Sequence, residues 1–362
     1  MTGSLDIVIL GLSITSSWGN GHATTYRGLV RELSARGHRV LFLERDAAWY
    51  AENRDLPSPP WGRTSIYGSL DELKDRFHIE VASADAVIVG SYVPEGIEVG
   101  RWVQEIANGV TAFYDIDTPV TLANLQRGEC SYLTRELVEH YDLYLSFTGG
   151  PTLDYIEKAL GSPAARPLYC SVDPRTYYPE ESELRWDLGY LGTYSADRQP
   201  VLERLLIEPA RSLPGRHFIV AGPQYPENLE WPPNVERETH IAPSEHRGFY
   251  NAQRFTLNVS RVEMMRAGYS PSVRLFEAAA CAVPIISDCW PGLDEFFIPG
   301  HDIFTAESAD DVRRILEETT EEERLTFARR ARERVLRLHT AAHRAEELEG
   351  YVHERMHESA EA

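Results

Sequence analysis

Lysine is nearly missing from this sequence. Only Lys74 and Lys158 occur, so 34 of the 36 basic residues are arginine. Any cationic grip on an anion in the second half must therefore come from arginine, a helix N-terminus or a nest of backbone N–H groups. Coding bias alone accounts for an arginine excess of this kind. Positive charge is also short overall, with 36 basic against 56 acidic residues and a formal net charge of -20. That field repels nucleic acid and anionic membranes, so neither is an expected partner. Cysteine is scarce: Cys130, Cys170, Cys281 and Cys289 form no CxxC pair and no run with histidine. A structural zinc and a disulfide framework are both disfavoured. No stretch is long and apolar enough to span a bilayer. The opening "MTGSLDIVILGLSIT" places Asp6, not a basic region, before its apolar run, and reads as a first strand rather than a signal peptide. A soluble cytoplasmic protein is expected, and 43% hydrophobic with 25% charged residues is an ordinary globular balance.

What the sequence does contain is alternation. Short apolar runs at Asp6–Leu10, Arg39–Glu44, Ala86–Gly90, Thr111–Asp115 and Asp142–Phe147 read as buried strands. Between the first two lies "TTYRGLVRELSARGH", with Tyr26, Leu29, Val30 and Leu33 at helical spacing and Gly37 as its stop. Strand, helix, strand in this order predicts right-handed crossovers and a parallel sheet. The pattern breaks at residues 170–186, where Pro174, Pro179 and clustered acids read as a linker. It restarts with "WDLGYLG", "HFIVAG", "NVERE", "FTLNVS" and "VPIIS". The fold class is α/β: two Rossmann-like domains, 1–169 and 187–339, facing across a cleft. From Asp310 onward the chain is helical and rich in Glu and Arg. Its Arg329–Arg337 cluster reads as a solvated face.

Four places carry candidate chemistry. "SSWGNGHATTYRGL" joins the first strand to the first helix, where ligands of parallel α/β sheets bind. Gly19, Asn20 and Gly21 form a cleft loop that lets backbone approach a ligand, and His22 opens the helix. A neutral imidazole there suits a general base for a hydroxyl, or simply a helix cap. The glycines do not match G-x-G-x-x-G, although Glu44 and Asp46 stand near where a dinucleotide fold places its acid. "TAFYDIDTPVT" ends a strand in Asp115-Ile116-Asp117. The D-x-D spacing suits a metal on a sugar diphosphate, whereas Thr118-Pro119 suits a helix cap by one acid, leaving the other as base. "LGYLGTYSADRQP" offers a loop at Gly192 and a guanidinium, Arg198. Finally, "SPSVRLFEAAACAVPIISD" predicts a helix with Ser270 as N-cap and Pro271 in its first turn. The Ser272 and Val273 N–H groups and Arg274 then face an anion, and Glu277 stands a turn further on. Arg274 and Glu277 read either as a salt bridge or as the two halves of a pocket for a nucleoside diphosphate.

"RLFEAAACAVPIISDCWPGLDEFF", with "LGYLGTYSADRQP" and "GNGHATTYRGLVRELSARGHRVLFLERD" before it, resembles a GT-B glycosyltransferase. It is most similar to the CgeB-like branch of the glycosyltransferase 4 type, and the likeness runs through nearly the whole chain. The resemblance implies that the second domain holds a nucleotide sugar and the first an acceptor, and that a C-terminal helix, 340–362, packs back on the first domain. Carried over by position, it implies that Glu277 holds the ribose hydroxyls and that Gly192, Thr193, Arg198, Ser272, Val273 and Arg274 surround the diphosphate. It places the base at His240, Ile241, Ala242 and Pro243. It implies a metal-independent hexosyl transfer without cofactor. The nucleotide sugar, a UDP-sugar foremost, is a co-substrate, and the acceptor is a small molecule or glycan hydroxyl. His22 or Asp117 is the catalytic base if the transfer inverts; if it retains configuration, the leaving phosphate assists and these residues only position groups. Relatives often carry Glu where this chain has Tyr269, and Gly where it has Ala282. A sugar-nucleotide epimerase and a non-catalytic nucleotide-sugar binder are the alternative functions.

Overall fold

The structure, a computed structural model, describes residues 3–18 and 21–361. The chain divides into two compact units, Met1–Ser171 with Ala341–Ala362, and Val172–Thr340. The first is built on seven parallel strands. In chain order these are β1 (Asp6–Gly11), β2 (Arg39–Arg45), β3 (Arg63–Tyr67), β4 (Ala86–Gly90), β5 (Val110–Asp115), β6 (Leu143–Ser146) and β7 (Ala165–Pro167). They lie in the order β3-β2-β1-β4-β5-β6-β7. β1, β4 and β5 are almost wholly buried along their length, as a parallel sheet covered on both faces requires. The predicted first helix spans Gly21–Ala35. It buries Tyr26, Leu29, Val30 and Leu33, and the chain leaves it through Gly37 at φ 93°. The last helix, Ala341–Glu361, belongs to this same unit. Ala345, Leu348 and Val352 join the core under the first helix, and Arg36 pairs with Glu349 at 2.6 Å.

The second unit holds β8 (Trp186–Leu191), β9 (Phe218–Ala221), β10 (Val235–Glu238), β11 (Gln253–Asn258), β12 (Ile285–Ser287) and β13 (Phe304–Thr305), again all parallel. Their order is β10-β9-β8-β11-β12-β13. In each sheet the chain winds outward in one direction and then returns to the other side of its first strand. The reversal falls between β1 and β4 in the first unit, and between β8 and β11 in the second. In such sheets the crevice beyond the carboxyl ends of the two strands at the reversal is where ligands bind. That rule selects two small regions of the molecule.

Three local findings depart from the sequence reading. The helix after "SPSV" spans Val273–Ala280 with Ser272 at its N-cap, two residues later than predicted. Tyr269 N–H donates to Pro291 O at 2.7 Å, which holds Gly268 and Tyr269 in positive-φ turns and keeps Ser270 and Pro271 outside the helix. The arginines of Glu321–Leu338 are not simply a solvated face. Arg332 donates to Ala280 O at 3.2 Å, and Arg334 donates to Phe296 O at 2.5 Å and Glu295 O at 2.9 Å, so both cap C-terminal carbonyls of neighbouring helices. Glu44 is fully buried at the end of β2. It accepts from Ile14 N at 2.8 Å, Thr15 N at 3.0 Å and the Thr15 hydroxyl at 2.6 Å, while Asp46 pairs with Arg54. Neither acid is free for a dinucleotide ribose.

Candidate functional site

Arg274 lies across the reversal point of the second sheet. It is 8% exposed, and its Nε–H donates to Leu191 O at the end of β8, 2.7 Å away. Its Nη1 donates to Asn258 Oδ1 at the end of β11, 3.0 Å away. The guanidinium stacks 4.8 Å from the Tyr190 ring centroid. Asn258 is fixed in turn by Ser287 Oγ at 3.0 Å, and Asp288 accepts from Ser260 N at 2.8 Å and its hydroxyl at 3.0 Å. Burial raises the Asp288 carboxyl above its ordinary value, and its hydrogen bonds with the Arg274 charge work against that shift. Arg274 is thus aimed by strand ends rather than by a carboxylate.

Arg198 is the second cation here. It donates to Thr193 O at 2.7 Å within the loop after β8. Burial lowers its affinity for a proton, and the like charges of Arg274 and Arg261 lower it further. The loop is fastened to the one after β9: Tyr225 O–H donates to Gly192 O at 3.2 Å and Tyr194 N–H to Pro223 O at 3.0 Å. Gly192 leaves room for no side chain, because a Cβ would stand 2.6 Å from the Tyr190 hydroxyl and 3.0 Å from Arg274 Nη2. The region therefore concentrates Arg198, Arg274 and the N-terminus of Val273–Ala280, where Ser272 makes no side-chain cap bond. An anion would be stabilised by all three.

Glu277 is not the salt-bridge partner of Arg274. It is 6% exposed and accepts from Tyr250 O–H at 3.0 Å, and Tyr177 also hydrogen-bonds to it. Tyr177 lies within the proline-rich stretch between the two strand patterns, yet it is buried. Its hydroxyl is 3.4 Å from His246 Nδ1, whose Nε2 lies 3.1 Å from Ile241 O. Ile241, Ala242 and Pro243 are partly buried and His240 is exposed. They are thus connected to Glu277 through one imidazole and one phenol.

In the first unit the crevice between β1 and β4 is flanked by His22 and Tyr92. Gly19 and Asn20 lie outside the described residues; Gly21 begins the helix and His22 follows in its first turn. Burial lowers the His22 pKa to about 4, so the ring is neutral near pH 7. The Tyr92 ring meets it edge-on, centroids 5.5 Å apart. Tyr92 O–H donates to Asp117 Oδ2 at 3.0 Å. Asp117 occupies the N-cap position of the helix Thr118–Arg127 but makes no side-chain cap bond. Asp115 is wholly buried. It accepts from Tyr144 O–H at 2.5 Å and Thr121 O–H at 2.7 Å, and burial with the nearby Asp117 charge raises its pKa to about 7. With both oxygens engaged inside the fold, Asp115 does not join Asp117 in facing outward. The D-x-D spacing therefore resolves into one core acid and one acid held by Tyr92.

Residues 198–350 match the family model described as "Glycosyl transferase-like". By sequence, this segment is glycosyl transferase-like. The fold carries the likeness over the whole chain. Sucrose-phosphate synthase from Thermosynechococcus elongatus is 15% identical, superposes with a TM-score of 0.67, and is matched over 98% of this chain and 99% of its own. HepE from Anabaena, solved in complex with UDP and glucose, is 14% identical with a TM-score of 0.69, over 97% of this chain and 100% of its own. An alpha-glucosyltransferase solved with UDP and a 13-mer DNA is 13% identical with a TM-score of 0.69, over 97% and 100%. No curated protein sequence matches significantly. The two parallel α/β units are the GT-B architecture. The segment is glycosyl transferase-like by sequence, and the whole chain shares the fold of these glycosyltransferases.

Within the glycosyl transferase-like segment and its loops, the structure brings Gly192, Thr193, Arg198, Ser272, Val273 and Arg274 to one region. Glu277 stands on the same helix, linked to Ile241. Sequence reasoning missed Asn258, Arg261, Tyr250, Tyr177 and His246, which fix or supplement those groups. The only signal for Asn258 and Arg261 was their place at the end of "FTLNVSR". Tyr92 was legible only as an aromatic after β4. Among the described residues no helix is long and apolar enough to cross a membrane.

Proposed function

We propose that this protein is a glycosyltransferase that moves a hexosyl group from a UDP-sugar to a hydroxyl of a small-molecule or glycan acceptor, without a metal ion. The observation that carries the reading is the pairing of Arg198 with Arg274 at the reversal point of the second sheet. Each is oriented by carbonyl or amide oxygens, and the Arg274 charge raises the cost of charging Arg198. In a chain of net charge -20, cations held together in this way are relieved by an anion. A diphosphate fits their charge and the adjoining helix N-terminus. The UDP complexes of the structural neighbours favour uridine as the base. Glu277 would accept from the ribose hydroxyls, supported from behind by Tyr250 and Tyr177.

In the reaction the acceptor oxygen bonds to the anomeric carbon as the carbon–oxygen bond to the diphosphate breaks. The electron pair leaves with UDP. Arg198, Arg274 and the helix N-terminus stabilise the charge that develops there, in place of a cation. The acceptor proton passes to a general base. The candidates are His22, whose ring burial keeps neutral near pH 7, and Asp117, whose carboxylate is oriented by the Tyr92 hydroxyl.

Thermal stability measured against UDP-, GDP-, TDP- and ADP-sugars tests the reading, with EDTA present in a parallel series. UDP-sugars at a hundredfold excess over Kd should add about 2.7 kcal/mol, with or without EDTA. Stabilisation by no nucleotide sugar would refute the function, and stabilisation that requires Mg2+ would refute its metal independence.

A further inference from the structure

Tyr92 touches both groups that the sequence singles out as bases, and it does so from a backbone conformation that L-residues rarely adopt. It lies two residues past the end of β4, at the reversal point of the first sheet, with φ 63°. Its ring packs against Tyr132 at 4.6 Å and meets His22 at 5.5 Å, while its hydroxyl reaches Asp117 Oδ2 at 3.0 Å. Packing would be served equally by phenylalanine, and the turn would be relieved by glycine or asparagine. Neither would hold the carboxylate. Asp117 begins a helix without capping it, so its side chain is oriented by something other than the helix it starts. Behind it, the Tyr132 hydroxyl lies 2.8 Å from Thr121 Oγ1, which donates to Asp115, and Tyr144 donates to the same acid. The Thr121 and Tyr144 hydroxyls are committed to Asp115, the Tyr132 hydroxyl bonds Thr121 and Tyr92, and the Tyr92 hydroxyl is given to Asp117.

We propose that Tyr92 is the positioning residue of the acceptor side: its O–H aims Asp117, and its ring packs edge-on against His22. This rests on the glycosyltransferase reading above. A hydrogen bond to the charged form of a carboxylate favours that form, so the same contact orients the base and keeps it ready at lower pH. Among the groups whose charge couples to that of Asp117 are Asp115 and Tyr92.

The test is Tyr92→Phe, which keeps the ring and the backbone and removes one hydroxyl. Turnover should fall about 10- to 100-fold, the range expected for a lost hydrogen bond to a charged group, with the KM for the donor unchanged. The acid limb of kcat/KM should move to higher pH. In an Asp117→Asn background the same change should cost almost nothing more, because the partner it serves is gone. Wild-type turnover and pH profile in Tyr92→Phe would overturn the proposal, as would an undiminished penalty in the Asp117→Asn background. A second readout does not depend on turnover. The carboxyl 13C signal of Asp117, assigned by its loss in Asp117→Asn, should titrate at higher pH in Tyr92→Phe, and an unmoved titration overturns the proposal. Failure of any UDP-sugar to bind would instead strike the glycosyltransferase reading while leaving this titration to decide the role of Tyr92.

Discussion

Replacing Arg274 with methionine keeps a stem of similar length and removes the guanidinium that lies across the second sheet's reversal point. Two separable losses follow. In the free protein, Leu191 O and Asn258 Oδ1 lose donors at 2.7 and 3.0 Å. Buried acceptors left short cost about 1–3 kcal/mol each, so stability should fall by about 2–4 kcal/mol after partial relaxation. That is a large part of a typical margin of about 5–15 kcal/mol, but the domain should remain folded. In the complex, the loss of one charge-assisted donor to the diphosphate should cost about 1.5–3 kcal/mol, or roughly 10- to 150-fold in Kd for UDP.

The assay is calorimetric titration of UDP and of uridine into wild type and Arg274→Met, with denaturant melts of both proteins. UDP affinity should fall as stated, and uridine affinity should hold, because uridine has no phosphate for Arg274 to meet. Arg274→Lys is the companion variant. It restores a positive charge but cannot span Leu191 O and Asn258 with a planar fork, so it should recover part of the UDP affinity and little of the stability. Equal losses for UDP and uridine in folded protein would refute the reasoning. So would unchanged UDP binding, which would reduce Arg274 to a strut between strand ends.

Three further outcomes follow from the same geometry. Glu277→Gln should weaken UDP and uridine alike by about 1.5–3 kcal/mol in the same titrations, because both carry the ribose. Ala282→Gly should raise stability by about 0.5–1 kcal/mol in a denaturant melt, since Ala282 sits at φ 55° where a Cβ is strained. The buried Asp115 acid, raised from 3.8 to about 7, contributes stability that is complete below pH 3.8 and lost as pH rises through about 7. Asp115→Asn cannot ionise, so the advantage of wild type over this variant should shrink steadily between pH 4 and 8 in thermal melts. A constant difference would show that Asp115 is ionised in the native state.

The strands legible in the sequence are those buried on both faces. "DIVILG", "AVIVG" and "HFIVAG" are continuous apolar runs because helices cover both sides of a parallel sheet. β3, "RTSIY", was not legible: it forms the sheet edge, only Tyr67 is fully buried, and its pattern is that of a polar loop. β7 and β13, of three and two residues, are too short to carry any period. The Val273 helix was legible in kind but not in its start. Its Ser-Pro-Ser opening fits an N-cap at Ser270, and the bond from Tyr269 N–H to Pro291 O that delays the helix comes from a loop twenty-two positions along the chain. Positive φ at Tyr269 and Ala282 is likewise invisible, because the residues there are not the glycines that announce such a turn.

The same distinction explains the site. Arg274 and Glu277 were legible because a helix fixes their spacing, and three positions on a helix bring two side chains to one face. Their partners were not, since Leu191, Asn258, Tyr250 and Tyr177 converge only when separate strands and the 172–186 stretch come together. This is why a salt-bridge reading stood beside the pocket reading on sequence alone. Opposite charges three positions apart on a helix ordinarily pair. Here each side chain is given neutral partners from elsewhere, so the guanidinium and the carboxylate do not pair, which the proposed diphosphate and ribose contacts require. The two acids of Asp115-Ile116-Asp117 obey the same logic in reverse. Their spacing suggests a shared cation, but three hydroxyls reached through tertiary contacts divide them, two taking Asp115 into the core and one holding Asp117 out of it. In both places, local spacing proposes a pair and the fold assigns its members to different tasks.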